Sequence, residues 1–383
     1  MKKKLAVVIV FIIILVFPMV SWPIVSHFDV RLDENREKAE FPTFGDDVFA
    51  QFDDYFADRA PYRDMLIKLY KRVERSLGLL YAKMLPDTAD YFTEINKVLI
   101  GQEDWLFYTD DDSLDYYKGT NLPTERELRS YVARAEKVND YFKAQGKEFA
   151  IFIAPNKEHI YSEYIPDGVH VINQMKRLDV IYDYFKEHSD VKVIYPKEEL
   201  IEAKSIRDTY LMQDTHWNDF GAYIGAKALL ESMRYAIGDV DVSEIQWSGG
   251  DLAKMAVINP SKYTAYKVSY RPEVTIKYRV TDVDRYEIES SNKNGKNLFV
   301  LGDSFMIADY SSRGNYRAGM KEMIAKEYEN FVVTHWNTFT VESAYSSEFD
   351  VATTVIFQAV ERNERSMFEQ WGFLQRFIDI YGL

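Results

Sequence analysis

A capped amphipathic helix that runs straight into a fully apolar segment constrains the fold more than any other feature. Thr124 and Glu127 form a capping-box pattern, and Leu128, Val132, Ala135, Val138 and Phe142 follow at helical spacing until Gly146 supplies a stop. Phe149–Ala154 comes next without polar alternation, as expected of a strand covered on both faces. The alternation continues with a helix across 175–185, a strand at 191–195 and a helix from Asn218 to about Tyr235. Further strands are expected at 298–301, 331–334 and 354–357. Buried strands joined by helices predict an α/β fold with a mostly parallel sheet flanked by helices. Between about 237 and 296 the pattern changes to alternation, as in Val274, Ile276, Tyr278 and Val280, which predicts a β-rich insertion. Val98–Gly101 with Trp105–Tyr108 reads as a short hairpin, and Asp64–Leu79 carries Leu66, Ile67, Leu69, Val73 and Leu77 near helical spacing.

At the N-terminus, Lys2, Lys3 and Lys4 precede an uncharged run from Leu5 to Val25, close to the roughly 20 residues that cross a bilayer. The basic flank places residues 1–4 in the cytoplasm and everything after Val25 outside. Met19–Pro23 is bulky where a cleavage site would need small residues, so 5–25 is expected to be an uncleaved signal anchor in the cell membrane. Residues 26–95 read as a stalk and helical lead-in, and 96–383 as one globular domain. With 61 acidic against 47 basic residues the net charge is −14, which disfavours phosphate-backbone binding and hence nucleic acid. The absence of Cys excludes disulfides, thiolate nucleophiles and Cys-based metal sites, and suits an extracytoplasmic setting.

In an open parallel sheet, ligands bind beyond the carboxyl ends of the strands. The strand at 298–301 is followed by Gly302-Asp303-Ser304-Phe305, which would lift Ser304 out at a strand end beside a helix, with its backbone N–H available to an oxyanion. The same tripeptide is ordinary turn composition. A serine nucleophile needs a base, and the chain has six His. His27 adjoins the membrane segment, His170 and His188 read as surface residues, and His159 as a loop residue. His216, in Asp214-Thr215-His216-Trp217-Asn218, has a carboxylate two positions earlier, on the same side if the segment is extended. Asp214 would then orient the imidazole toward a hydroxyl; equally, Asp214 would cap the helix beginning near Asn218. His335 follows another strand and is the competing base, and Asn337 reads as a loop residue rather than an oxyanion donor. A metal reading of Asp214, His216 and Asp219 lacks a further ligand, so neither a metal nor a cofactor is expected.

As a set, these residues resemble the SGNH-hydrolase-like family of alginate O-acetyltransferases, AlgJ and AlgX. The likeness rests on the Gly302–Phe305 turn, on Asp214–Asn218 with Gly221-Ala222, and on Ala154-Pro155-Asn156-Lys157 with Tyr161. It also rests on the order, Asp/His before Ser. Glu34-Asn35-Arg36, Asp58-Arg59 and Lys97–Tyr108 extend it along the chain from about Asp33. The resemblance implies an SGNH-hydrolase-like domain with Ser304 as nucleophile, His216 as base and Asp214 as its orienter. It further implies an acetyl group passed through an acyl-serine to hydroxyls of a cell-wall or secreted polysaccharide, with a membrane-bound O-acyltransferase as donor partner. An acetyl-esterase with the same triad and a non-catalytic assembly scaffold are the alternatives. The sequence shows neither a Gly-x-Asn-Asp oxyanion block nor a carbohydrate-binding domain after the catalytic unit. A polyanionic acceptor would need a local basic patch, for which Arg313 and Arg317 are candidates.

Overall fold

The structure is a computed structural model that describes residues 94–238, 240–269, 276–282, 285–307, 320–336 and 346–383, with 39–42, 48–59 and scattered positions between 11 and 84. By internal contacts the chain divides into one unit of residues 1–96 with 254–258 and another of 97–253 with 259–383. In the first, the helix Val48–Asp58 is followed by Arg59, whose guanidinium lies over the Tyr55 ring and donates to the Ala39 carbonyl at 2.9 Å. Most of the expected anchor at 5–25 and of the helix at 64–79 lies outside the described residues. Among those described, no helix is long and apolar enough to cross a membrane.

The second unit opens on a hairpin, β1 (Val98–Ile100) and β2 (Leu106–Tyr108), in the expected place. Helix α1 (Glu125–Ala144) follows, with both halves of the Thr124–Glu127 capping box formed and Gly146 beyond its end at φ +72°. Strand β3 (Glu148–Ala154), the short helix α2 (Lys157–Ile160), α3 (Arg177–His188), β4 (Lys192–Ile194) and α4 (Asp219–Ser232) come next. Then come β5 (Asp241–Ser248), β6 (Lys262–Ser269), β7 (Ile276–Asp282) and β8 (Arg285–Ser290). The chain continues through β9 (Asn297–Gly302), α5 (Ser304–Ile307), β10 (Asn330–His335), β11 (Thr354–Val360) and α6 (Phe373–Tyr381).

Seven strands form one sheet in the order β4-β3-β11-β9-β10-β8-β7. All five strands expected from the apolar runs are in it and mutually parallel, and β8 and β7 add an antiparallel edge beyond β10. The period of two explains why β3 is apolar from Phe149 to Ala154. Ala150, Phe152 and Ala154 enter one core with α4, while Phe149, Ile151 and Ile153 enter the other with α1, α3 and α6. The stretch expected to be β-rich, 237–296, holds four strands, of which β5 and β6 pair as a separate two-stranded sheet, whereas β7 and β8 extend the main one. Alternation reports a strand with two unlike faces, which an antiparallel sheet edge satisfies as well as an independent hairpin does.

Candidate active site

The carboxyl ends of β3, β9 and β11 lie side by side, and the candidate residues emerge there. Gly302 closes β9, and a Cβ at this position would sit 2.7 Å from Gln358 Oε1 and 3.1 Å from Met306 Cβ, so the turn admits no larger residue without displacement. Asp303 is buried, and both its carboxylate oxygens are committed. Oδ1 accepts from the Phe305 N–H and from Gln358 Nε2, each at 2.9 Å, and Oδ2 accepts from the Val360 N–H at 2.6 Å. Its own N–H donates to Gln358 Oε1 at 2.7 Å. Gln358 breaks the apolar run of β11 after Phe357, and it fastens the Gly302–Phe305 turn to this neighbouring strand. Ser304, half-buried, opens α5.

His216 reaches Ser304 from the loop before α4. Its Nε2 lies 2.8 Å from Ser304 Oγ, and its Nδ1 lies 2.7 Å from Asp214 Oδ1. Because a carboxylate only accepts, the proton belongs on Nδ1, leaving Nε2 to accept from the serine hydroxyl. The two side chains meet, but not through the alternation of an extended strand. Residues 214–216 are bent, and Asp214 Oδ1 also accepts the His216 N–H at 3.1 Å, a local turn closed by the side chain. Asp214 does not cap α4. Asn218 does, accepting from the Gly221 N–H at 3.0 Å, and a Cβ on Gly221 would fall 2.0 Å from the Thr209 carbonyl oxygen.

Two supporting residues have no role assigned to them from the sequence, although Lys157 lies in one of the motifs quoted for the resemblance. Asp251 accepts from the Thr215 N–H at 2.8 Å and from Thr215 Oγ1 at 2.7 Å, donates its own N–H to Asp214 Oδ2 at 2.9 Å, and brings Oδ2 within 3.6 Å of His216 Nδ1. Donor atoms of Asp214, His216 and Asp251 lie within 4.8 Å of one another, a spacing that a cation could share. Both imidazole nitrogens, however, already face Asp214 and Ser304, as a proton relay requires. Asp219, the ligand considered from sequence, lies in the first turn of α4 and accepts instead from the Val268 N–H at 3.3 Å. Asp251→Asn keeps the shape but turns one acceptor into a donor. Losing one buried charge-assisted bond, about 1.5 kcal/mol, should lower the melting temperature by a few degrees and ester turnover roughly 10-fold in a chain still folded at the assay temperature. Unchanged turnover would remove Asp251 from the site.

The second is Lys157, fully buried in α2. Its ammonium donates to the carbonyls of Leu211 and Met212 at 3.2 Å and of Asp214 at 2.7 Å, under the rings of Trp105 and Phe107. The Leu106 N–H donates to Met212 O at 3.1 Å, so the β1–β2 hairpin and α2 jointly hold the loop that carries Asp214 and His216. Burial pushes the Lys157 ammonium down to about 8, against the pull of Glu158, Asp214 and Asp251.

The remaining candidates separate clearly. His170 and His188 are exposed, and His188 stacks on Tyr184. His335 ends β10 opposite Gly302 and stacks on Trp336, while His216 takes the place beside Ser304. His159 is not a loop residue. It is buried in α2 with Nδ1 2.8 Å from Glu361 Oε1; burial alone would lower its pKa, but the carboxylate raises it. Neighbouring polar residues gave no hint of this, because the partner is remote in sequence. His27, Arg313, Arg317 and Asn337 lie outside the described residues.

The model of the SGNH hydrolase-like domain of the acetyltransferase AlgX matches residues 98–308, which include Asp214, His216 and Ser304. A probable alginate O-acetylase AlgJ of Pseudomonas putida is 25% identical over 143 residues, and its counterpart from Pseudomonas fluorescens is 28% identical over the same length. Each alignment covers 36% of this chain and about a third of the relative, 34% and 33% respectively. Among solved structures, Bacillus cereus PatB1 aligns over 70% of this chain and 96% of its own at 16% identity and TM-score 0.48. The O-acetyltransferase domain of Pseudomonas putida AlgJ aligns over 74% and 98% at 17% identity and TM-score 0.45. With the family model matched over more than half of its length, the chain belongs to the SGNH hydrolase-like acetyltransferase family typified by AlgX.

Proposed function

We propose that this protein is an O-acetyltransferase that moves an acetyl group through Ser304 onto hydroxyls of a cell-wall or secreted polysaccharide. The observation that carries this reading is the line Asp214–His216–Ser304, closed at 2.7 and 2.8 Å at the carboxyl ends of the parallel strands. The names of the curated relatives, alginate O-acetylases, support acetyl transfer to a polysaccharide.

In the proposed mechanism, His216 Nε2 takes the Ser304 proton as Oγ attacks the acetyl carbonyl. The backbone N–H of Ser304 is offered to the developing oxyanion. The imidazolium, held by Asp214, returns the proton to the leaving group, and an acyl-serine remains. A sugar hydroxyl then gives its proton to His216 and attacks the acyl carbonyl, the acyl–Oγ bond breaks to release the acetyl ester, and His216 returns the proton to Ser304 Oγ. No metal or cofactor enters the cycle. The run at 5–25 is proposed to anchor the chain in the cell membrane with its catalytic domain outside, where a membrane-bound O-acyltransferase would supply acetyl groups.

The test is product identity. The full-length chain, given an activated acetyl ester and a panel of glycans, is expected to yield O-acetylated glycan in excess over free acetate. Acetate alone with every glycan would make it an esterase, and no turnover by a folded chain would leave only a scaffold.

A further inference from the structure

Arg362 is a guanidinium that the proposed mechanism does not use. It follows β11, the strand beside the nucleophile strand. The pairing of Leu301 with Phe357, continued by the bond from the Val360 N–H to Asp303 Oδ2, sets the end of β11 level with Ser304. Arg362 therefore emerges two residues past that level, on the edge of the sheet where ligands enter. Its backbone N–H donates to Asn156 Oδ1 at 3.3 Å, which ties it to the end of β3. Its guanidinium carbon lies 5.2 Å from the centroid of the Tyr108 ring and 5.7 Å from that of Phe305. The same Phe305 ring faces His216 at 4.9 Å, so Arg362 and the base flank one side chain.

The residue is partly exposed, and among the described residues no carboxylate lies within ion-pair distance of it, unlike Arg177, Arg129, Arg285 and Arg365, which pair with Glu364, Glu125, Glu287 and Asp112. Glu158 interacts electrostatically with Arg362 from a fully buried position, where burial raises the pKa of that carboxyl and the Arg362 charge lowers it. The Tyr108 and Phe305 rings flank the guanidinium, and Phe305 directly follows Ser304 in the chain. On a chain of net charge −14, a partly exposed guanidinium that has no carboxylate within ion-pair distance among the described residues is matched to an anion.

We propose that Arg362 forms an anion-binding subsite beside Ser304 that takes an acidic group, carboxylate or phosphate, of the acceptor glycan. This rests on the reading of the site as one that acetylates a glycan. The test is equilibrium binding to the full-length chain of three probes on one backbone: a uronic-acid oligosaccharide, its carboxyl-reduced neutral form, and a phosphorylated form. The wild type should bind at least one acidic probe about 10-fold or more tightly than the neutral one. Preference for the uronate or for the phosphate identifies the source of the anion. Arg362→Gln should abolish the preference, and Arg362→Lys, which keeps the charge without the fork, should retain part of it and serves if the Gln variant misfolds. Equal binding of the three probes by the wild type, or a preference that survives in Arg362→Gln, overturns the proposal. Binding does not require the serine, so repeating it with Ser304→Ala beside wild-type ester turnover separates failure of this subsite from failure of the acyl-transfer reading.

Discussion

His216→Ala is expected to lower turnover of an activated acetyl ester by roughly 10³-fold or more, and Ser304→Ala to do the same. The double variant should lose hardly more than either single one, because the two act as one unit: without Nε2 at 2.8 Å the hydroxyl stays protonated, and without the hydroxyl the base has nothing to activate. The measurement is the steady-state rate for the four proteins, with thermal unfolding to show that each is folded. Independent, multiplicative losses would mean that His216 and Ser304 do not act on one another. Full activity in either single variant would place the chemistry elsewhere.

Lys157→Met should be the most damaging change at a residue that touches no substrate. The ammonium holds three carbonyls of the loop that presents Asp214 and His216, and a shift of that loop by about 1 Å is enough to cost on the order of 10²-fold in rate. The pH dependence of stability has a definite sign. In the folded chain the group titrates near 8, below its ordinary 10.5, so the unfolded chain binds more protons between those values. The burial penalty, on the order of 3 kcal/mol, is therefore fully present below pH 8 and is relieved as pH rises from 8 to 10.5. Denaturant unfolding of wild type and Lys157→Met at pH 7 and pH 10 should show the wild type gaining stability relative to the variant at the higher pH. A difference independent of pH would mean that Lys157 is not buried as a charged group.

The fold was legible in the sequence where burial is two-sided. Phe149–Ala154 reads as a strand covered on both faces because its odd and even residues feed different cores, and Thr124 with Glu127 marks the helix before it because capping is local. Asp214, His216 and Ser304 were legible as a candidate set because a nucleophile, its base and an orienter demand particular residue types, and the structure brings the three within hydrogen-bond distance. What held them in place was not. Gln358 fastens Asp303 from 55 residues away, Asp251 supports Thr215 from 36 away, and Lys157 reaches Asp214 across 57. Polar contacts of this kind impose no periodicity on either partner, so Asp303 reads as turn composition and His159 as a loop residue. The destination of β7 and β8 was hidden for a related reason: alternation records the contrast between the faces of a strand, not the sheet it joins.

The central claim is a covalent one, and the most direct test is the mass of the intact full-length chain after brief exposure to an activated acetyl ester, followed by peptide mapping. Wild type should carry one acetyl group, on Ser304, that disappears when an acceptor glycan is added, and Ser304→Ala should carry none. An unmodified wild-type chain, or an acetyl group on another residue that persists in Ser304→Ala, would contradict it.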